Sequence, residues 1–229
     1  MNICFDFDGP IIDVTDRYYR AYLESLKGVD PKKLQILTKE DFWLLKQNRI
    51  TDFEIGVMTG LSISEALESA EIRKDLSFKF EYLSLDKLFS DVVDIFDLLK
   101  KQNIIFFTVT LRRNKQLMHA IKLFKLGKYL TDEQIFSLPD NQKFTNDIQE
   151  KYILLVNAVN KMDLDPENTW LIGDSETDMH SGKLAKYGKI ILISRGIRSR
   201  EQLEILRPDY LVNNLREAIT ILNSSRVVA

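Results

Sequence analysis

The amino-acid sequence predicts an α/β protein: a parallel β-sheet flanked by helices, with an all-helical segment inserted near the start of the chain. Three observations carry this reading. From Ile104 onward, short apolar runs alternate with amphipathic helical stripes, the pattern that parallel neighbours require because they need crossover connections. A single apolar run, Asn2 to Phe7, stands alone before them. The stretch between the two is dense in helix-start signals and holds nothing that reads as a strand.

Taken in order, Asn2 to Phe7 is a short buried strand, stopped by Gly9 and Pro10. Tyr18, Tyr22 and Leu26 then fall on one helical face, and Gly28 with Pro31 supplies a stop. Thr38 with Asp41, Thr51 with Glu54 and Ser62 with Glu65 have the Ser/Thr-x-x-acid spacing of helix N-caps. Gly60 ends one of these helices. Leu88, Val92, Phe96 and Leu99 form the stripe that leads back into the sheet. Residues 14–84 therefore read as a helical insert, and residues 1–13 with 85–229 as the α/β core.

The core continues with a strand from Ile104 to Thr110, then a helix marked by Leu117, Ala120, Ile121 and Phe124 and ended by Gly127. Gln134 to Leu138 is the next strand. Tyr152, Leu155, Val156 and Val159 mark another helix, and Pro166 precedes the strand Thr169 to Ile172. A helix with Leu184 and Ala185 leads to Gly188 and the strand Lys189 to Ser194. Ser199 with Gln202 caps a helix, and Pro208 introduces the last strand, Asp209 to Val212.

Composition narrows the setting. The 229 residues, 45% hydrophobic and 29% charged, are ordinary for a globular protein with a sizeable core. A formal net charge of −2 creates no global field for nucleic acid or an anionic membrane. The single cysteine, Cys4, lies in the first apolar run and reads as a buried structural thiol. No segment approaches the roughly 20 apolar residues of a membrane span, and no signal-like run is present, so a soluble cytoplasmic protein is expected. Its quaternary state is expected to be a monomer or homodimer.

The polar residues at the strand ends converge. Asp6 and Asp8 follow the first strand, Thr108 and Thr110 the second, and the segment Gly173-Asp174-Ser175-Glu176-Thr177-Asp178 follows the strand ending at Ile172. In a parallel sheet all of these fall at one edge, where ligands of such sheets bind. Four acids at one edge demand a cation, and an oxygen-rich set suits Mg²⁺.

At this point the sequence resembles the haloacid dehalogenase superfamily of phosphohydrolases and phosphotransferases, with a Rossmann-like core. Asp6-Phe7-Asp8-Gly9 is similar to its first motif, the run ending at Thr110 to the second, Lys151 to the third, and Gly173 to Asp178 to the fourth. Gly196-Ile197-Arg198-Ser199 and Pro208-Asp209-Tyr210 resemble the tail of the phosphoglycolate-phosphatase and beta-phosphoglucomutase-like subgroup, and the helical insert resembles that subgroup's cap domain. The resemblance implies that Asp6 is a nucleophile forming an aspartyl-phosphate and Asp8 the general acid and base. It implies Mg²⁺ held by Asp6, the Asp8 backbone carbonyl and Asp174, with Asp178 binding directly or through water. Thr110 would contact the phosphoryl oxygens and Lys151 would neutralise them, with Lys143 as the fallback lysine. Thr108 should sit deeper, in the core. An Asp at position 8 argues for an alkoxide leaving group, which needs a proton, and against a halide, which does not.

The chain departs from the family pattern after Thr110, where Leu111 and Arg112 stand in place of the frequent Asn. Arg112 is thus a candidate phosphate contact, beside Gly9. In the insert, Arg17, Arg20, Lys46 and Arg49 are the cations available for a second anionic group of the substrate, with Arg17 and Arg49 the chosen pair. His119 and His180 read as surface or packing residues, and Trp43 and Trp170 as core. The expected function is Mg²⁺-dependent hydrolysis of a small phosphorylated metabolite. A sugar-phosphate phosphomutase is the alternative on the same core, and a non-enzymatic phospho-acceptor or binding protein is a third. The insert and the Gly173 to Asp178 segment argue against a receiver-like phospho-acceptor.

Overall fold

The computed structural model describes residues 1–142 and 146–227. The chain begins with β1 (Asn2–Phe5), β2 (Ile12–Asp13), α1 (Thr15–Ser25), α2 (Lys39–Gln47), α3 (Asp52–Met58), α4 (Ile63–Ser77), α5 (Phe80–Leu83) and β3 (Lys87–Leu88). It continues with α6 (Val92–Lys101), β4 (Phe106–Arg113), α7 (Asn114–Leu123), β5 (Ile135–Leu138), α8 (Asp147–Lys161) and β6 (Thr169–Gly173). The last elements are α9 (Glu176–Leu184), β7 (Lys189–Ile193), α10 (Arg200–Glu204), β8 (Tyr210–Val212) and α11 (Leu215–Val227). Two compact units result, Met1–Ile12 with Leu88–Ala229, and Asp13–Lys87.

The first unit is built on a six-stranded sheet of order β5-β4-β1-β6-β7-β8, every pairing parallel. Its central strands β1, β4, β6 and β7 are buried on both faces, which is why they read as unbroken apolar runs. Side chains alternate between the faces. Cys4, Phe107, Val109 and Leu171 pack with Leu155, Ala158 and Val159 of α8 on one side. Phe5 and Phe106 meet Phe96 of α6 on the other, with the Phe96 and Phe106 rings stacked at 4.9 Å. Burying each such side chain contributes about 1.5–3 kcal/mol. Register then sets the functional edge: Phe5 lies level with Thr108 on one neighbour and with Ile172 on the other. Asp6, Thr110 and Asp174 follow those positions and emerge at one end.

The first two long strands differ from the sequence reading by more than one residue, the second starting at Phe106 instead of Ile104, and the two-residue strands β2 and β3, which pair with each other, lie where no strand is expected. The first strand stops at Phe5 instead of Phe7, because the chain turns back at once. Phe7 O accepts from Ile11 N and Ile12 N, and Gly9 N donates to Ile12 O at 2.9 Å. Phe7 and Ile11 stay fully buried, so their apolar character signals core and not strand. The second strand runs on to Arg113, past Thr110, with a shift in its pairing to β5 between those two residues.

The second unit is helical throughout its five helices, around a core of Tyr22, Leu26, Phe42, Ile55, Leu61 and Ala66. Tyr22 and Phe42 stack at 4.8 Å. Thr38, Thr51 and Ser62 each cap a helix through the side-chain oxygen, the latter two with reciprocal bonds from Glu54 and Glu65. Gly60, at φ +100°, makes the turn after α3, where a Cβ would meet Lys33 O at 2.3 Å.

Candidate active site

The site is assembled from three strand ends and one helix, all in the α/β unit. Asp6 directly follows β1, its backbone N–H tied to Ile172 O at 2.8 Å. Asp174 and Asp178 follow β6, and Lys151 points in from α8. Asp6, Asp174 and Asp178 bring carboxylate oxygens within 4.8 Å of one another. Lys151 stands between two of them, its Nζ 2.7 Å from Asp6 Oδ1 and 3.1 Å from Asp178 Oδ1, with the side chain 2% exposed. Its helix starts at Asp147 behind the Asn146 cap, which puts the lysine one turn in. Lys143, the fallback lysine, lies outside the described residues.

Asp178 is fully buried and does two structural jobs. Its Oδ2 accepts from Asp174 N at 3.1 Å and from Ser175 Oγ at 2.6 Å, closing the turn before α9, while Oδ1 faces Lys151. Asp174 Oδ2 accepts from Ile197 N at 2.6 Å. Glycine makes this close fit possible: a Cβ at Gly196 would lie 1.8 Å from Asp174 Oδ2. At Gly9, whose φ of +89° already favours glycine, a Cβ would lie 2.2 Å from Asp174 Cγ. Arg198 grips Glu176 through two hydrogen bonds of 2.7 Å and so joins the loops after β6 and β7.

Electrostatics follow from burial. Desolvation, aided by Asp178, pushes Asp6 up to about 7 against the opposing pull of Lys151. Desolvation and then the charges of Asp178 and Asp6 hold Asp174 well above the usual carboxylate range. For Lys151 burial disfavours the ammonium, but Asp178 and Asp6 outweigh it, so its pKa rises and it stays protonated. Two buried carboxylates and the half-buried Asp6 against one ammonium leave an excess that either protons or a divalent cation must neutralise. An all-oxygen set of this kind fits Mg²⁺ or a similar hard cation.

The remaining expected residues fall into place as follows. Thr108 is a core residue, donating to Phe5 O at 3.0 Å, while the buried Thr110 lies farther along β4 and accepts from Arg112 N at 3.1 Å. The guanidinium of Arg112, the candidate phosphate contact, is engaged with Asp8, with Nε 2.8 Å from Oδ1. Arg17 is buried in the helical unit against Asp86 at 3.0 Å, and Arg49 is an exposed residue in a left-handed turn at φ 68°. Lys46 pairs with Asp52 at 3.0 Å, and Arg20 lies 3.7 Å from Glu24. His180 is exposed, Trp170 buried and Trp43 half-buried. The backbone of Gly196 and Ile197 is the site component that residue chemistry alone does not reveal, since a main-chain N–H leaves no mark beyond the glycine beside it.

The carboxyl edge of the parallel sheet thus gathers three aspartates and a buried lysine, with Thr110 on the neighbouring strand. The family model described as HAD-hydrolase-like matches residues 151–218, so this part of the chain is similar to that family. Among curated proteins, pyrophosphatase PpaX of Bacillus mycoides is 21% identical over 226 residues, covering 96% of each chain. Among solved structures, a putative phosphatase from Clostridium difficile aligns over 97% of this chain and 99% of its own, at a TM-score of 0.74 and 18% identity. A predicted phosphoglycolate phosphatase from Haemophilus somnus aligns over 96% and 97%, at a TM-score of 0.69 and 17% identity. Among the described residues, no helix is long and apolar enough to cross a membrane.

Proposed function

We propose that this protein is a Mg²⁺-dependent phosphatase that hydrolyses a small phosphorylated metabolite through an aspartyl-phosphate on Asp6. The observation that supports this most directly is Asp6 itself, a strand-end carboxylate held 2.7 Å from a buried ammonium beside two further acids. In the first step an Asp6 oxygen attacks phosphorus as the bond to the leaving group breaks, and the leaving oxygen takes a proton from Asp8. In the second, water attacks phosphorus, gives its proton to Asp8, and the bond to Asp6 breaks to release inorganic phosphate. Dividing one difficult displacement into two is the gain from the covalent route. Thr110 and Lys151 contact the phosphoryl oxygens, and Lys151 offsets their charge.

Asp6, the Asp8 backbone carbonyl and Asp174 would hold the ion, with Asp178 direct or through water. When bound, Mg²⁺ supplies the positive charge that lets an anionic phosphate approach an anionic nucleophile. The helical unit, joined to the core at Ile12–Asp13, shortly after Asp8, and again at Lys87–Leu88, is proposed as a cap that selects the leaving group.

Phosphate release from a panel of phosphorylated compounds tests this reading. The panel includes pyrophosphate and phosphoglycolate, after the names the relatives carry, together with sugar phosphates and 4-nitrophenyl phosphate. Wild-type protein with Mg²⁺ should release phosphate, and chelation should stop it. Asp6→Asn should lose at least about 10³-fold. Equal turnover by the mutant removes Asp6 as nucleophile, and a panel with no hydrolysed member removes the phosphatase assignment.

A further inference from the structure

We infer that Arg112 is a positioning residue for Asp8, the group that aims its carboxylate during proton transfer. This rests on the proposed phosphatase reading and deepens it. Asp8 lies in the turn between Phe7 and the left-handed Gly9, with its side chain 31% exposed. An acid so placed has several rotamers open to it, and only some serve a leaving oxygen. Arg112 restricts that choice. Its Nε donates to Asp8 Oδ1 at 2.8 Å and its Nη2 donates to the same oxygen.

The arm that makes these contacts is itself rigid. Its side chain is 3% exposed, and the guanidinium carbon lies 5.1 Å from the centre of the Phe7 ring. The backbone beneath it is irregular in a telling place. Along β4, Thr110 pairs with Ser137 and Arg113 with Leu138, so Leu111 and Arg112 are two residues without counterparts on β5. Such irregularities re-aim side chains next to active sites. The Arg112 backbone N–H also donates to Thr110 Oγ1 at 3.1 Å, which occupies an acceptor position of that hydroxyl and leaves its hydrogen to donate elsewhere. One residue therefore organises two groups of the site, one in the turn after β1 and one on its own strand. An ammonium would not substitute: the planar fork that engages one oxygen through two nitrogens belongs to arginine.

A phosphate-contacting arginine and one that positions Asp8 differ in what they make the rate depend on. The phosphoryl group is common to all esters, so losing a phosphate contact slows all of them alike. Losing the orientation of the proton donor slows most those esters whose leaving oxygen needs the proton most.

The test measures kcat/KM with Mg²⁺ for wild type, Arg112→Lys, Arg112→Ala, Asp8→Asn and the Arg112→Ala/Asp8→Asn double variant. The two substrates are 4-nitrophenyl phosphate and the alkyl phosphate of the panel that wild type hydrolyses fastest. Arg112→Ala should lose at least about tenfold on the alkyl ester and less than about threefold on the nitrophenyl ester. Arg112→Lys should fall between wild type and Arg112→Ala. The double variant should be no slower than Asp8→Asn alone. Equal fractional losses on both esters, or losses that multiply in the double variant, overturn the inference. If only one ester is turned over, the double-variant comparison on that ester decides; if Arg112→Ala fails to fold, Arg112→Lys carries both comparisons. Failure of wild type on every substrate instead overturns the phosphatase reading, and this inference with it.

Discussion

Replacing Lys151 by Met tests the electrostatic core of the site, because it keeps the side chain's length and removes its charge. Lys151 Nζ lies 2.7 Å from Asp6 and 3.1 Å from Asp178. At an effective dielectric of ~20, these separations correspond to attractions of about 6 and about 5 kcal/mol. The cost of dehydrating the ammonium offsets much of this, and breaking a buried pair from one side typically costs about 3–5 kcal/mol. The loss must depend on pH. Below about 7, Asp6 takes up a proton in the metal-free folded state, and a neutral acid misses the lysine less than a carboxylate does. Urea unfolding in chelator, followed by fluorescence of the buried Trp170 in the sheet, should show a loss of about 3–5 kcal/mol at pH 8 and roughly half of that or less at pH 5. Saturating Mg²⁺ should shrink the loss at pH 8, since a second cation then serves the same acids. A loss below about 1 kcal/mol at pH 8, or equal losses at both pH values, would refute the argument that Lys151 compensates buried carboxylates.

Further outcomes follow from the same geometry. Because Asp6 and Asp174 are both raised, a divalent ion must displace protons as pH falls; calorimetry should show protons released on Mg²⁺ binding and affinity dropping by at least about tenfold per unit below pH 7. The metal-free protein should show the opposite trend: between the ordinary carboxylate range and about 7, the folded state holds protons that the unfolded state has released, so stability falls as pH rises. Gly196→Ala places a Cβ on Asp174 Oδ2 and disrupts the bond from Ile197 N, and Mg²⁺ titration should show a loss of about 10–100-fold in affinity. Thr51→Ala removes the cap of α3 in the helical unit and should cost about 1 kcal/mol in a denaturant melt, with kcat unchanged.

The alternation of strand and helix is legible in the chain because strands buried on both faces leave unbroken apolar runs and helices leave stripes. Helix starts at Thr38, Thr51, Ser62 and Ser199 are legible for a related reason: a cap is a bond between residues three apart. Where the reading slips, burial and strand have separated. Phe7 is as buried as Phe5 yet belongs to a turn, and Arg113 is exposed yet ends a strand. Of the site, Asp6, Asp8 and Asp174 announce themselves as acids at strand ends. Lysine 151 does not, since one lysine in a helix looks like another until the family pattern marks its position.

Residue type and local periodicity by themselves determine the alternation of strands and helices in the sheet, and that acids follow the strands at one of its edges. Only the tertiary structure decides which charges meet. Arg112 stands in the sequence as an unassigned cation after Thr110, and its partner is Asp8, 104 residues away. Ile197 reaches Asp174 through a main-chain N–H that no side chain advertises. The physical reason is range. Hydrophobic periodicity and capping act over three or four residues and are written in order, whereas pairing between buried charges depends on the register of β1 against β4 and β6, which the whole sheet sets at once.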